Sequence, residues 1–124
     1  MTTANKRKHH RVRSLNLLSY VCVDENQDVV RQGMGRTLDV SESGILLETH
    51  APIDLEDTII SLTIGLEDEL TDITGKVVYS RAGETGKFES GIEFQEKDEA
   101  GLRILQEYIK AFREQEEETY TMVE

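Results

Sequence analysis

The sequence has one cysteine, one proline and no tryptophan among its 124 residues, and these scarcities limit what the protein can be. A single cysteine cannot form an internal disulfide, so the chain is compatible with a reducing compartment. Cys22 stands in an apolar run, which favours a small buried side chain over a reactive thiol. No apolar run approaches the ~18 residues of a membrane-spanning helix, and no charged-then-apolar leader is present. We therefore expect a soluble, cytoplasmic protein without membrane insertion.

Catalytic and metal-binding patterns are also missing from the sequence. His9 and His10 are neighbours in a basic segment and His50 is alone. No cysteine or paired carboxylate stands beside them at the spacing of metal ligands. Neither a P-loop nor a G-x-S-x-G elbow occurs. We therefore expect no metal, no cofactor and no enzymatic activity.

Positive charge is scarce outside the N-terminus. The net charge is −11, yet residues 1–13, here called the basic arm, carry five cations and no acid. The rest of the chain holds the other nine cations against all 25 acids, a balance of −16. Such an acidic body should repel nucleic acid and anionic membranes. The basic arm lacks the apolar content to pack, so we expect it to be mobile without a ligand.

Short alternating or β-branched runs separated by turn residues dominate the rest of the chain. These runs predict strands over residues 14–23, 29–38, 45–49, 58–64, 70–80 and 87–95. Two glycines inside the second run, Gly33 and Gly35, suggest a bulge or bend. Six short strands without intervening helices predict an all-β fold, a six-stranded antiparallel β-barrel.

A single convincing helix follows the last strand. Asp98 is a plausible N-cap, and the apolar side chains that follow it share one face: Leu102, Leu105, Ile109 and Phe112. This face should pack on the barrel, although a partner helix or a homodimer seam remains open. Four acids within residues 114–118 oppose the helix dipole. We therefore predict a folded domain over 14–112 and a disordered acidic tail over 113–124.

The segment 39–44, here called the corner, separates two of the predicted strands. Side chains of Asp39 and Ser41 can bond nearby backbone N–H groups, and Gly44 can adopt the positive φ of a tight turn. By itself this pattern is typical of a strand–turn–strand connection. The basic arm adds Arg7 and Arg11, which are suited to bidentate contacts with phosphate or guanine.

Together, R-x-x-x-R in the basic arm and D-x-S-x-x-G at the corner resemble the PilZ domain, the small bacterial receptor for cyclic di-GMP. The resemblance covers roughly residues 5–112 and extends to the later strand sequences G-K-V-V at 75–78 and G-I-E-F at 91–94. It implies a barrel of the PilZ type followed by a C-terminal helix. It also implies a ligand-binding set of five residues: Arg7, Arg11, Asp39, Ser41 and Gly44.

The resemblance implies a receptor and adaptor whose basic arm orders over the bound dinucleotide and signals to an unidentified downstream protein partner. We expect a monomer or weak homodimer. The first alternative is a PilZ-like protein-interaction adaptor that does not bind the nucleotide. A second is a small nucleic-acid-binding barrel, which the acidic body and the few aromatic side chains (four Tyr, three Phe) disfavour.

Overall fold

The computed structural model describes residues 17–53, 58–66 and 69–123, with side chains described as far as residue 115 and not at position 66. Six strands form a closed antiparallel barrel in the order β1-β2-β3-β6-β5-β4. The predicted six-stranded barrel is confirmed. Its elements are β1 (Leu17–Val23), β2 (Val29–Val40), β3 (Gly44–Thr49), β4 (Ile59–Leu66), β5 (Glu69–Ala82), a 3₁₀ turn (Glu84–Gly86), β6 (Phe88–Phe94) and helix α1 (Glu99–Val123).

The interior of the barrel is filled by alternate residues of each strand, because successive side chains of a strand point to opposite faces. Burying one such apolar side chain contributes about 1.5–3 kcal/mol relative to exposure. Cys22 belongs to this interior, as predicted, and burial raises the pKa of its thiol. The buried strand residues include Leu18, Tyr20, Cys22, Val40, Ile45, Leu47, Ile60, Leu62, Ile64, Ile73, Val77, Ile92 and Phe94.

Helix α1 begins at the predicted cap and packs on β4 and β5. The amide of Gly101 donates to Asp98 Oδ1 at 2.7 Å, as an N-cap requires. Its buried face includes Leu105, Ile109 and Phe112 as predicted, together with Tyr108. Within the described part of the chain, no helix has the length and apolar character needed to cross a membrane.

The C-terminal end of α1 departs from the prediction. The backbone remains helical to Val123, so the predicted change to a disordered tail at residue 113 is not seen. Gln115, beyond that predicted boundary, is buried. No glycine or proline follows Gly101, and the Glu and Gln residues of this segment are good helix formers. Helix propensity therefore outweighs the unfavourable position of the acids near the C-terminal end of the dipole.

The two glycines of β2 serve close packing rather than a bulge. A Cβ on Gly33 would lie 3.2 Å from the Tyr20 hydroxyl, and one on Gly35 would lie 2.8 Å from the Leu47 side chain. The bulges of this strand lie elsewhere, at Val30, where Cys22 pairs with Arg31 and Val23 with Val29, and at Leu38, where Thr37 pairs with Leu47 and Asp39 with Leu46. The strand therefore bulges on either side of the two glycines and not at them, which corrects the predicted position.

Candidate ligand-binding face

The corner is a short loop stabilised by its own polar groups. The amide of Ser41 donates to the Gly44 carbonyl at 2.8 Å, and the amide of Ser43 donates to Ser41 Oγ at 3.3 Å. The two serine hydroxyls lie 3.0 Å apart. Asp39 belongs to the end of β2, where its Oδ1 accepts from the Val40 amide at 3.0 Å. The loop therefore presents a carboxylate and two hydroxyl groups close together.

The bulge at Leu38 decides which face of the barrel carries the Asp39 carboxylate. Thr37 points inward and is buried. Strict alternation would point Leu38 outward and Asp39 inward, into the apolar core. The bulge takes up Leu38 as an extra residue, which reverses the direction of the side chains that follow. Asp39 is therefore exposed and Val40 is buried. The Asp39 carboxylate thus lies in solvent rather than in the core.

Gly44 is required for a reason that differs from the predicted one. Among the glycines that the structure describes, positive φ occurs at Gly86 and not at Gly44. Gly44 instead lies against β6, where a Cβ would collide with the carbonyl oxygen of Ile92. The prediction of positive φ is therefore wrong. The close backbone approach that the absent side chain permits lets β3 pair with β6 directly behind the corner.

A bulge at Val78 in β5 brings further residues onto the same outer face. Tyr79 pairs with Gly91, Gly91 with Leu46, and Leu46 with Asp39. We call these four residues the outer row. The Tyr79 ring occupies the space that a Gly91 side chain would fill, and Tyr79 remains 40% exposed. Next to Asp39 the barrel therefore offers a partly apolar surface.

A row of charged residues runs parallel to the outer row. The register places Arg36 beside Glu48, Glu48 beside Glu89, and Glu89 beside Arg81; these four residues are called the charged row. Arg36 Nε donates to Glu48 Oε1 at 3.0 Å. This hydrogen bond and the neighbouring cations, including Lys87 at 3.8 Å, hold the pKa of Glu48 below its usual range.

The corner also contacts α1. Gln106 Nε2 lies 3.4 Å from Glu42 Oε2, so the loop touches the outer side of the helix. An open groove separates the two elements and is lined by Glu42, Gln106, Ile109, Lys110, Arg113 and Glu114. Movement of the loop would therefore change a surface that includes the helix.

Of the predicted site residues, the structure brings together Asp39, Ser41 and Gly44 at one end of β2 and β3. Arg7 and Arg11 lie outside the described residues. Sequence reasoning did not place Leu46 or Tyr79 beside the corner. Which residues become neighbours across four strands depends on the pairing register and on the bulges, and neither can be read from the sequence. Among the described residues, no group of three or more His, Cys, Asp or Glu side chains is arranged to hold a metal ion.

Comparison with known proteins identifies the family. The family model of the PilZ domain matches residues 5–111, which is most of the chain, and the described fold is the barrel with a C-terminal helix that the motifs implied. The chain therefore belongs to the PilZ domain family, whose members are regulatory binding domains. No curated protein matches the chain.

Solved structures share the fold at low sequence identity. The PilZ domain of CeSA from a cellulose-synthesizing bacterium matches with a TM-score of 0.56 and 13% identity, covering 78% of this chain and 93% of that one. The PilZ domain of YcgR from Escherichia coli, solved with c-di-GMP, matches with a TM-score of 0.59 and 12% identity, covering 85% of this chain and 88% of that one. MrkH of K. pneumonia in its apo state matches with a TM-score of 0.58 and 12% identity, covering 82% of this chain and 49% of the MrkH chain. At such identities the likeness concerns the fold.

Proposed function

We propose that this protein is a receptor for cyclic di-GMP, in which Arg7 and Arg11 of the basic arm and Asp39, Ser41 and Gly44 of the corner hold the dinucleotide. The observation that carries this proposal is the outward orientation of Asp39. The bulge at Leu38 turns the Asp39 carboxylate to the outer face, and the adjoining corner carries two serine hydroxyls. Membership of the PilZ family supports the same assignment.

Each proposed contact matches the chemistry of the ligand. A carboxylate accepts hydrogen bonds from guanine N1–H and N2–H₂, which is the role of Asp39. The Ser41 hydroxyl donates to or accepts from base or phosphate. Arg7 and Arg11 neutralise phosphate and donate to guanine O6 and N7. The outer row provides Leu46 and the Tyr79 ring as an apolar surface next to Asp39.

Binding would act as a switch through the basic arm. The ligand bridges the arm to the corner, and the arm becomes ordered against the barrel, creating a surface that a downstream protein recognises. The ordering entropy must be offset by strong contacts, which favours charge-assisted, bidentate hydrogen bonds from arginine. Affinity should therefore decrease as salt concentration rises.

Calorimetric titration with cyclic di-GMP, with cyclic di-AMP as the matched control ligand, tests the proposal. Saturable heat with the guanine compound alone is expected, and it would also give the number of dinucleotides bound. Absence of binding at high ligand concentration, confirmed by an optical method, would contradict the proposal. The protein would then be a PilZ adaptor that binds a partner without the nucleotide.

A further inference from the structure

Arg36 lies on the same outer face as Asp39 and very near it. Its partner on β3 is Glu48, whereas the partner of Asp39 is Leu46, two residues earlier on that strand. Two residues along a strand span about 7 Å and return to the same face. Arg36 is exposed, so its side chain and the Asp39 carboxylate border the same patch of surface.

The hydrogen bonds of Arg36 to the described part of the chain do not use its outer nitrogens. Three arginines pair with carboxylates among the described residues. Arg103 uses both terminal nitrogens, to Glu107 and Glu69. Arg81 uses Nε and Nη2 on Glu89.

Arg36 differs from both. It uses Nε on Glu48, and its two Nη nitrogens make no hydrogen bond to a described residue. The Glu48 side chain, which is 14% exposed, therefore fixes the position of this guanidinium, and no described residue takes up the terminal donors of Arg36.

A guanine has two chemically different parts to its edge. N1–H and N2–H₂ are donors that suit a carboxylate, whereas O6 and N7 are acceptors that suit the paired donors of an arginine. Asp39 and Arg36, whose partners on β3 lie about 7 Å apart along the strand, match this arrangement, because the arginine side chain is long enough to reach around the base.

We propose that Arg36 is a further ligand-binding residue, which donates to O6 and N7 of the guanine whose N1 and N2 groups meet Asp39. This inference rests on the proposed function and adds a residue of the barrel itself to the site. It also gives the acidic barrel a fixed positive charge beside the dianionic ligand, independent of the basic arm.

The test is calorimetric titration of Arg36→Met and of Arg103→Met with cyclic di-GMP. Arg103 is the matched control, since it is an exposed arginine paired with glutamate but located on α1. Loss of one bidentate guanine contact should weaken binding about tenfold or more for Arg36→Met. Arg103→Met should bind as the wild type does. Thermal unfolding of Arg36→Met should remain near wild type, because exposed ion pairs contribute little.

A ligand analogue locates the contact on the base. Cyclic di-GMP made with 7-deazaguanine lacks the N7 acceptor, so the wild type should bind it more weakly than cyclic di-GMP. In Arg36→Met the loss of affinity caused by the analogue should be smaller than in the wild type, because one of the N7 contacts is already absent and only those of Arg7 and Arg11 remain. Equal affinity of wild type and Arg36→Met for cyclic di-GMP would overturn the proposal, as would additive losses with the analogue. If the wild type binds no cyclic di-GMP, the proposed function itself fails.

Discussion

The hydroxyl groups of Tyr108 and Thr37 lie 2.8 Å apart in the protein interior, where they share a hydrogen bond. Tyr108 belongs to α1 and Thr37 to β2, immediately before the bulge that turns Asp39 outward. Burial raises the pKa of Tyr108, so its hydroxyl stays protonated at neutral pH. The helix is thus joined to the strand that supports the candidate site.

Replacing Tyr108 with Phe should destabilise the protein by about 1–2 kcal/mol, because the Thr37 hydroxyl would lose its partner while remaining buried. Urea denaturation measures this change in the free energy of unfolding. Thr37→Val combined with Tyr108→Phe should restore part of the stability, since neither polar group then remains. Simple addition of the two single-variant losses would argue against coupling of these hydroxyls.

Gly44→Ala should destabilise the barrel by about 1–3 kcal/mol, because the new methyl group meets backbone that cannot move aside cheaply. That backbone is the Ile92 carbonyl of the neighbouring strand. Gly91→Ala is the comparison, since its methyl group meets the flexible Tyr79 side chain instead. Denaturation of both variants should show the larger loss for Gly44→Ala, and the reverse order would contradict this account of Gly44.

Arg7→Ala and Arg11→Ala should each weaken binding of cyclic di-GMP about tenfold or more, since each removes a charge-assisted contact. The fold should be intact, because the described barrel strands begin at Leu17, beyond both arginines in the sequence. Calorimetry gives the affinity and circular dichroism checks the fold. Unchanged affinity in both variants would remove these arginines from the site.

Asp39→Ala should weaken binding of cyclic di-GMP about tenfold, through loss of an acceptor for guanine N1–H and N2–H₂. Cyclic di-IMP, which lacks the N2 amino group, tests the contact directly. The wild type should prefer cyclic di-GMP to cyclic di-IMP, and this preference should shrink in Asp39→Ala. A preference that persists in the variant would place the N2 contact on another residue.

Acidification should remove the contribution of the Arg36–Glu48 pair. Because the pKa of Glu48 is lowered in the folded state, its stabilisation is present above the unfolded pKa of about 4.3 and lost as pH falls through the folded value. Glu48→Gln should therefore be less stable than wild type at pH 7, by about 1 kcal/mol, because solvent around the 47% exposed Arg36 side chain screens the pair. Urea denaturation should show this difference vanishing towards pH 3. A stability difference that did not change with pH would show that it comes from packing rather than from the ion pair.

The sequence predicted much of the fold because its signals are local. Period-2 runs and turn residues located six strands within a few residues of their observed limits, and Asp98 marked the start of α1. The helix end was missed, since the acidic run near residue 114 argued for fraying while the absence of Gly and Pro allowed the helix to continue.

The candidate site was only partly predictable for a different reason. Motif positions identified Asp39, Ser41 and Gly44, but the surroundings of these residues depend on pairing between distant strands. The bulges at Leu38 and Val78 carry no clear sequence signal, yet they decide that Asp39 and Tyr79 share a face. Arg36 was missed because its proximity to Asp39 follows from the same register.

The bulge at Leu38 links the outer face of β2 to the core. Two residues, Leu38 and Asp39, separate Thr37 from Val40, and both of these flanking side chains are buried. Plain alternation over this stretch would turn Asp39 inward and Val40 outward, which buries a carboxylate and exposes an apolar side chain. With one residue fewer, the strand would keep Val40 inside without any bulge. At its present length, the core therefore requires the bulge independently of any ligand.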